Sequence, residues 1–171
     1  MDTYKKYFYL ASAWSSGICL MAMTLLILAQ VIARFFGVVI PSSEDFAGWI
    51  LSATIFFGLA YTFNAGGHIR VTILLGCLSA KLRKIIEVFN LIIGLLITAY
   101  LAWYASYTAY ESYSYHDVTD TYLAVPLWII QLPMALGSVF LCLAVLDNFI
   151  TLLKGDIPSY IAAEEQISVE D

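Results

Sequence analysis

Residues 88–110 read VFNLIIGLLITAYLAWYASYTAY, with no Asp, Glu, Lys or Arg in the run. A helix crosses a bilayer core with about 20 predominantly apolar residues, so this stretch is long enough to span. Three more uncharged runs share the property, at 7–33, 46–67 and 121–146. Hydrophobic residues make up 61% of the 171 positions and charged residues 12%. A soluble domain holds about twice that charged fraction, so the solvent of this chain is lipid. The reading is an all-α integral membrane protein of four transmembrane helices, with spans at about 8–36, 44–64, 85–110 and 122–153. These fill a single domain over 1–155 and leave 156–171 as an acidic cytoplasmic tail. The apolar run after Lys5 and Lys6 exceeds the ~7–15 residues of a signal-peptide core, which makes it an uncleaved first span.

Punctuation between the runs supports the boundaries. Gly37 and Pro41 break the first helix, and Ser42 or Ser43 suits the N-cap of the second, whose first turn carries Glu44 and Asp45. Gly66 and Gly67 stop the second span. Between spans two and three, Val71, Leu74, Leu75, Leu78 and Leu82 recur at helical spacing among Arg70, Lys81, Arg83 and Lys84. That pattern predicts an amphipathic helix lying in the membrane interface, the other reading being the start of span three. Pro126 and Pro133 predict a bend or irregular first turns in span four. Tyr100, Trp103, Tyr104, Tyr107 and Tyr110 crowd the second half of span three, as in the aromatic belt at a membrane surface.

Orientation follows Lys and Arg rather than acids. Basic residues precede span one, lie between spans two and three, and follow span four at Lys154. The two other connections contain only Arg34, so both termini are expected in the cytoplasm and the loops at 35–45 and 111–121 outside.

The chemistry that is missing narrows the function. His68 and His116 are the only histidines and fall in loops on opposite sides, which leaves no axial pair for a haem at depth. Cys19, Cys77 and Cys142 include no CxxC, and the outer loops hold no Cys for disulfide exchange. No ionisable residue lies centrally in a span, where ion and solute carriers keep them. Phosphate-loop, zinc and nucleophile–base motifs are absent. No enzyme, cofactor or metal site is expected, and a net charge of -5 with an acidic tail offers nothing to nucleic acid. Gln30, Asn90 and Gln131 read as interhelical hydrogen-bonding groups. Arg34 is placed to close a hairpin by pairing with Glu44 or Asp45, or to anchor on lipid phosphate.

A family resemblance emerges from residues already in view. Arg34-Phe35-Phe36, Glu44-Asp45, Gly58-Leu59-Ala60, Gly67-His68-Ile69-Arg70-Val71, Pro126-Leu127-Trp128 and Pro133 occur in order. Over about residues 10–150 the chain resembles the small membrane subunit of tripartite ATP-independent periplasmic (TRAP) transporters. It departs where many relatives carry Trp and paired Glu before span two, having Pro-Ser-Ser-Glu-Asp instead. The resemblance implies a bacterial inner-membrane heterodimer with a large subunit that holds the substrate and sodium sites and moves as an elevator. It also implies a periplasmic binding protein delivering an organic acid, such as sialic acid or a C4-dicarboxylate, with sodium as the driving ion. The small subunit would then be a static scaffold. On that view Tyr113, Tyr115, Asp117 and Asp120 are expected to help dock the binding protein, against the simpler reading of an interface belt. His68 and Arg70 are expected to hold the cytoplasmic surface against headgroups or the large subunit. Two other readings stay open: a membrane anchor for a redox or signalling complex, and a small transporter working alone as a homodimer.

Overall fold

A computed structural model describes residues 3–66, 80–154 and Pro158. The elements are four helices: α1 (Thr3–Phe35), α2 (Ser43–Asn64), α3 (Ala80–Tyr115) and α4 (Leu127–Leu153). All four are long and apolar enough to cross a membrane. The chain is an all-helical, multi-pass membrane protein, and among the described residues β-structure is limited to one isolated bridge, Val118 to Pro126. The interfacial helix expected at 68–84 lies outside the described residues up to 79, as do Cys77, His68 and Arg70. Residues 80–84 form the opening turn of α3. The tail at 156–171, Pro158 apart, is likewise outside the described residues.

Helix ends follow from local chemistry. At α1, Gly37 adopts φ +73, its amide bonds Arg34 O at 3.1 Å, and the Val38 amide bonds Ala33 O at 2.9 Å. This is the Schellman arrangement that satisfies orphan carbonyls at a helix end. The same pair of bonds ends α3, with Asp117 N to Ser112 O at 3.1 Å and His116 N to Tyr113 O at 3.4 Å. There the left-handed residue is His116, at φ 58. Helix α3 therefore runs to Tyr115, five residues past the uncharged span, because a polar helix persists readily in water once its apolar part is anchored. Helix α4 starts at Leu127 rather than near 122. Pro126 stands at its N-cap, and the preceding residues form a hydrogen-bonded loop. Pro133 sits inside α4 without ending it. Ser42 occupies the N-cap of α2 at φ 56 but makes no side-chain cap, while the Ser43 hydroxyl donates to Ile40 O at 3.0 Å.

Helices α1 and α2 pack together, α2 packs on α4, and α4 packs on α3. The fourth helix in sequence thus stands between the second and third. In lipid the hydrophobic effect does not drive helices together, so association rests on close packing and interhelical hydrogen bonds. The seam residues fit that physics. Ala60, Ala144 and Ser138 have no exposed surface. At Gly137 a Cβ would come within 2.5 Å of the Phe56 backbone carbonyl. Around this seam, Leu91, Leu141, Val145 and Leu152 form a buried cluster with Leu59, Phe63 and Phe149 against it. The cluster lies toward the end of the bundle where α1 begins and α4 finishes (the terminus end), away from the end where the α1–α2 and α3–α4 connections lie (the loop end).

Candidate functional site

At the terminus end, α1 is fastened by polar contacts that distance along the chain conceals. Lys5 Nζ lies 2.5 Å from Asp147 Oδ1 on α4. The Tyr9 hydroxyl, one helical turn further on, donates to Asp147 Oδ2 at 3.4 Å. Tyr9 is buried, and its ring meets Phe8 edge-on, while Phe8 meets Phe140 of α4 in the same way. The next turns of α1 hydrogen-bond to α2. Ser12 Oγ donates to Phe57 O, and Ser16 Oγ to Thr54 O at 2.8 Å. Gly58 makes room for the second contact, since a Cβ there would come 3.1 Å from Ser16 Oγ. Lys5, Tyr9 and Asp147 escape a linear reading, because their meeting depends on which helices are neighbours. Two lysines at one end of span one and an acid at the matching end of span four were the available signal.

At the loop end, Arg34 Nη2 lies 3.2 Å from Glu44 Oε1, and both side chains are largely exposed. Among the described residues this contact uses Glu44 and not Asp45. An exposed pair of this kind gains little, in the range of about 0–1 kcal/mol.

The α3–α4 connection is tied across itself. Leu127 N bonds Asp117 O at 2.9 Å and Thr119 N bonds Val125 O at 2.9 Å. The Val125 amide also bonds Thr119 Oγ1 at 3.0 Å, and Thr121 Oγ1 donates to Leu123 O at 2.8 Å. Tyr113 packs edge-on against Trp128, centroids 5.7 Å apart. Tyr113, Tyr115, Asp117 and Asp120 thus fall within one hydrogen-bonded segment, with all four side chains exposed. Exposed Tyr122 belongs with them and was not singled out by its sequence context. Of the amides, Asn90 is exposed, and Gln131 Oε1 is buried without a hydrogen-bond partner among the described residues.

Among the described residues no group of three or more His, Cys, Asp or Glu is placed to hold a metal ion. The ionic contacts lie at the two ends of the bundle, with packed small residues between them.

Comparison with curated protein sequences found no match. The sequence model of the family described as "Tripartite ATP-independent periplasmic transporters, DctQ component" matches residues 23–155. That match spans most of the chain, from the second half of α1 through all of α4, and the Lys5, Tyr9, Ser12 and Ser16 contacts of α1 lie ahead of it. The chain belongs to the DctQ component family of tripartite ATP-independent periplasmic transporters.

Proposed function

We propose that this TRAP component is a static, non-catalytic scaffold for a sodium-driven importer of an organic acid, such as sialic acid or a C4-dicarboxylate. In this reading it forms a heterodimer with the large membrane subunit in the bacterial inner membrane, with both termini in the cytoplasm. The single observation that carries the proposal is where the charges sit. Lys5, Asp147, Arg34 and Glu44 occupy the ends, and the middle of the bundle is a seam of Ala, Gly and Ser closed to cargo. A transport site at depth calls for polar or ionisable groups around a cavity. A seam closed by backbone contact suits a frame against which another subunit moves.

The ordered outer loop supports a second part of the proposal. Asp117 and Asp120 present negative charge from a segment held by its own hydrogen bonds. A basic patch on a periplasmic binding protein would be steered toward it. Reconstitution by omission tests the whole reading. Proteoliposomes with this chain, the large subunit and the binding protein should take up the acid on a sodium gradient without ATP. Those with this chain alone should take up none. Uptake by this chain alone, or undiminished uptake when it is left out, overturns the scaffold assignment.

A further inference from the structure

Four residues on the loop-end half of α3 face away from their own bundle: Tyr100, Trp103, Tyr104 and Tyr107, between 51% and 71% exposed. Their spacing of three and four places them on one helical face. The Tyr100 and Tyr104 rings lie together, centroids 4.5 Å apart. Their depth is what needs explaining. The uncharged run 88–110 is centred near residue 99. At 1.5 Å per residue, Tyr100 lies about 2 Å, Tyr104 about 8 Å and Tyr107 about 12 Å from that centre along the axis, inside a core half-thickness of about 15 Å. Helix tilt only shortens these distances from the centre.

The neighbouring helix agrees. A Cβ on Gly94 would lie 3.8 Å from Val145, and Tyr113 meets Trp128. These two contacts place Tyr100 to Tyr104 level with about residues 136–140, the middle of the uncharged part of α4. An aromatic belt sits at headgroup level, which fits Tyr110, Tyr113 and Tyr115 but not Tyr100 or Tyr104. Snorkelling outward is also opposed. Helical side chains lean toward the helix N-terminus, so on α3 these phenols lean away from the nearer membrane surface. Their hydroxyls and the Trp103 indole N–H have no hydrogen-bond partner among the described residues. Hydrocarbon offers none either, and an unmatched hydroxyl at that depth is costly.

We infer that this face of α3 is covered by a membrane helix of the large TRAP subunit, which presents hydrogen-bond acceptors at mid-depth. The inference rests on the proposed function and adds which surface the partner takes. Charge supports the same occupant. Glu111 continues the face at its outer end and is exposed, with no ion pair among the described residues. Lipid phosphate at that level would repel a carboxylate, whereas a Lys or Arg on the partner would attract it. A second copy of this chain docked face to face about a two-fold axis would set two Glu111 carboxylates near each other. By contrast, the outward face of α1 is aliphatic through Leu25, Leu28 and Ile32, which suits acyl chains.

The test uses the complete three-component system in native membranes. A photoreactive phenylalanine replaces Tyr104, or Leu28 as a comparison, and adducts are identified by mass. Tyr104 should give an adduct with the large subunit and Leu28 should not. In parallel, Tyr100→Phe, Tyr104→Phe and Tyr107→Phe are combined, deleting three hydroxyls and keeping the rings. Interhelical hydrogen bonds in membranes average an effect of about threefold each, so affinity for the large subunit should fall about twentyfold. Suppose the unaltered chain co-purifies with the large subunit, but Tyr104 gives no adduct or one with the mass of two copies of this chain. The face assignment is then wrong while the partnership stands. An adduct at Leu28 instead, or unchanged affinity in the triple variant, has the same meaning. If the large subunit does not co-purify at all, the proposed function falls and this inference with it.

Discussion

Gly137→Ala adds one methyl group to α4 and sets two effects against each other. As helix formers, Ala exceeds Gly by about 0.8–1.0 kcal/mol, so propensity alone predicts stabilisation. The geometry predicts the reverse. The new Cβ would lie 2.5 Å from the Phe56 carbonyl carbon and oxygen and 2.7 Å from its Cβ. Ordinary carbon contacts are about 3.5–4.0 Å, so α2 and α4 must part by about 1 Å. A backbone obstacle cannot rotate aside as a side chain would. A gap of that size forfeits about a quarter to a half of each dispersion contact along the seam, where Ala60, Ser138 and Ala144 are fully buried. Overpacking of this kind costs about 1–3 kcal/mol, which exceeds or cancels the propensity gain and leaves a net loss of up to about 2 kcal/mol. For a chain of this length, that lowers the apparent Tm by up to about 4–8 °C. Thermal unfolding of the purified protein in detergent measures it. Gly17→Ala on α1 is the matched control, because a Cβ there meets nothing within 4 Å, and its Tm should hold or rise. Equal upward shifts in both variants would refute the claim that α2 and α4 touch backbone to side chain at this point.

Four further outcomes are expected. Asp147→Ala removes the Lys5 contact and the Tyr9 acceptor together, and should cost about 1–3 kcal/mol in detergent stability. Arg34→Ala should cost under about 1 kcal/mol and matter less as salt rises, because both partners are exposed to solvent. His116→Gly relieves a left-handed residue at a helix end and should raise the Tm by about 2–4 °C, whereas a fall would show that the His116 Nδ1 contact with Ser114 O, at 3.3 Å, outweighs that relief. Reversing Asp117 and Asp120 to Lys should raise the concentration of binding protein needed for half-maximal uptake, most strongly at low salt, with stability unchanged. An unaltered concentration dependence would remove the docking role of this loop.

The four spans were legible because absence of charge is a local property, and a bilayer imposes it along each helix. The end of α1 was legible for a similar reason, Gly37 being placed where a left-handed residue is required. The end of α3 was not. Residues 111–115 are polar, which marks departure from lipid but not the end of a helix, and His116 takes the turn position that composition assigns to glycine. The start of α4 was blurred because hydropathy rises at Tyr122 and Leu123, three to four residues before the backbone bonds of a helix begin at Pro126. Neighbour relations were least legible. Nothing in the order of four apolar helices says that α4 stands between α2 and α3, and the meeting of Lys5, Tyr9 and Asp147 depends on it. The same information turns Tyr100 and Tyr104 from members of a surface belt into groups at mid-depth.

The central claim is that this subunit stays still while its partner moves. Spin labels at Val39→Cys and Leu153→Cys, both exposed and at opposite ends of the bundle, report the shape of the frame once the native cysteines are replaced. In the assembled, reconstituted transporter the distance distribution should be the same without ligands and with sodium, substrate and binding protein present. A shift of several ångström between those states, comparable to the one-turn step of about 5 Å of a helix moving past its neighbour, would contradict the account.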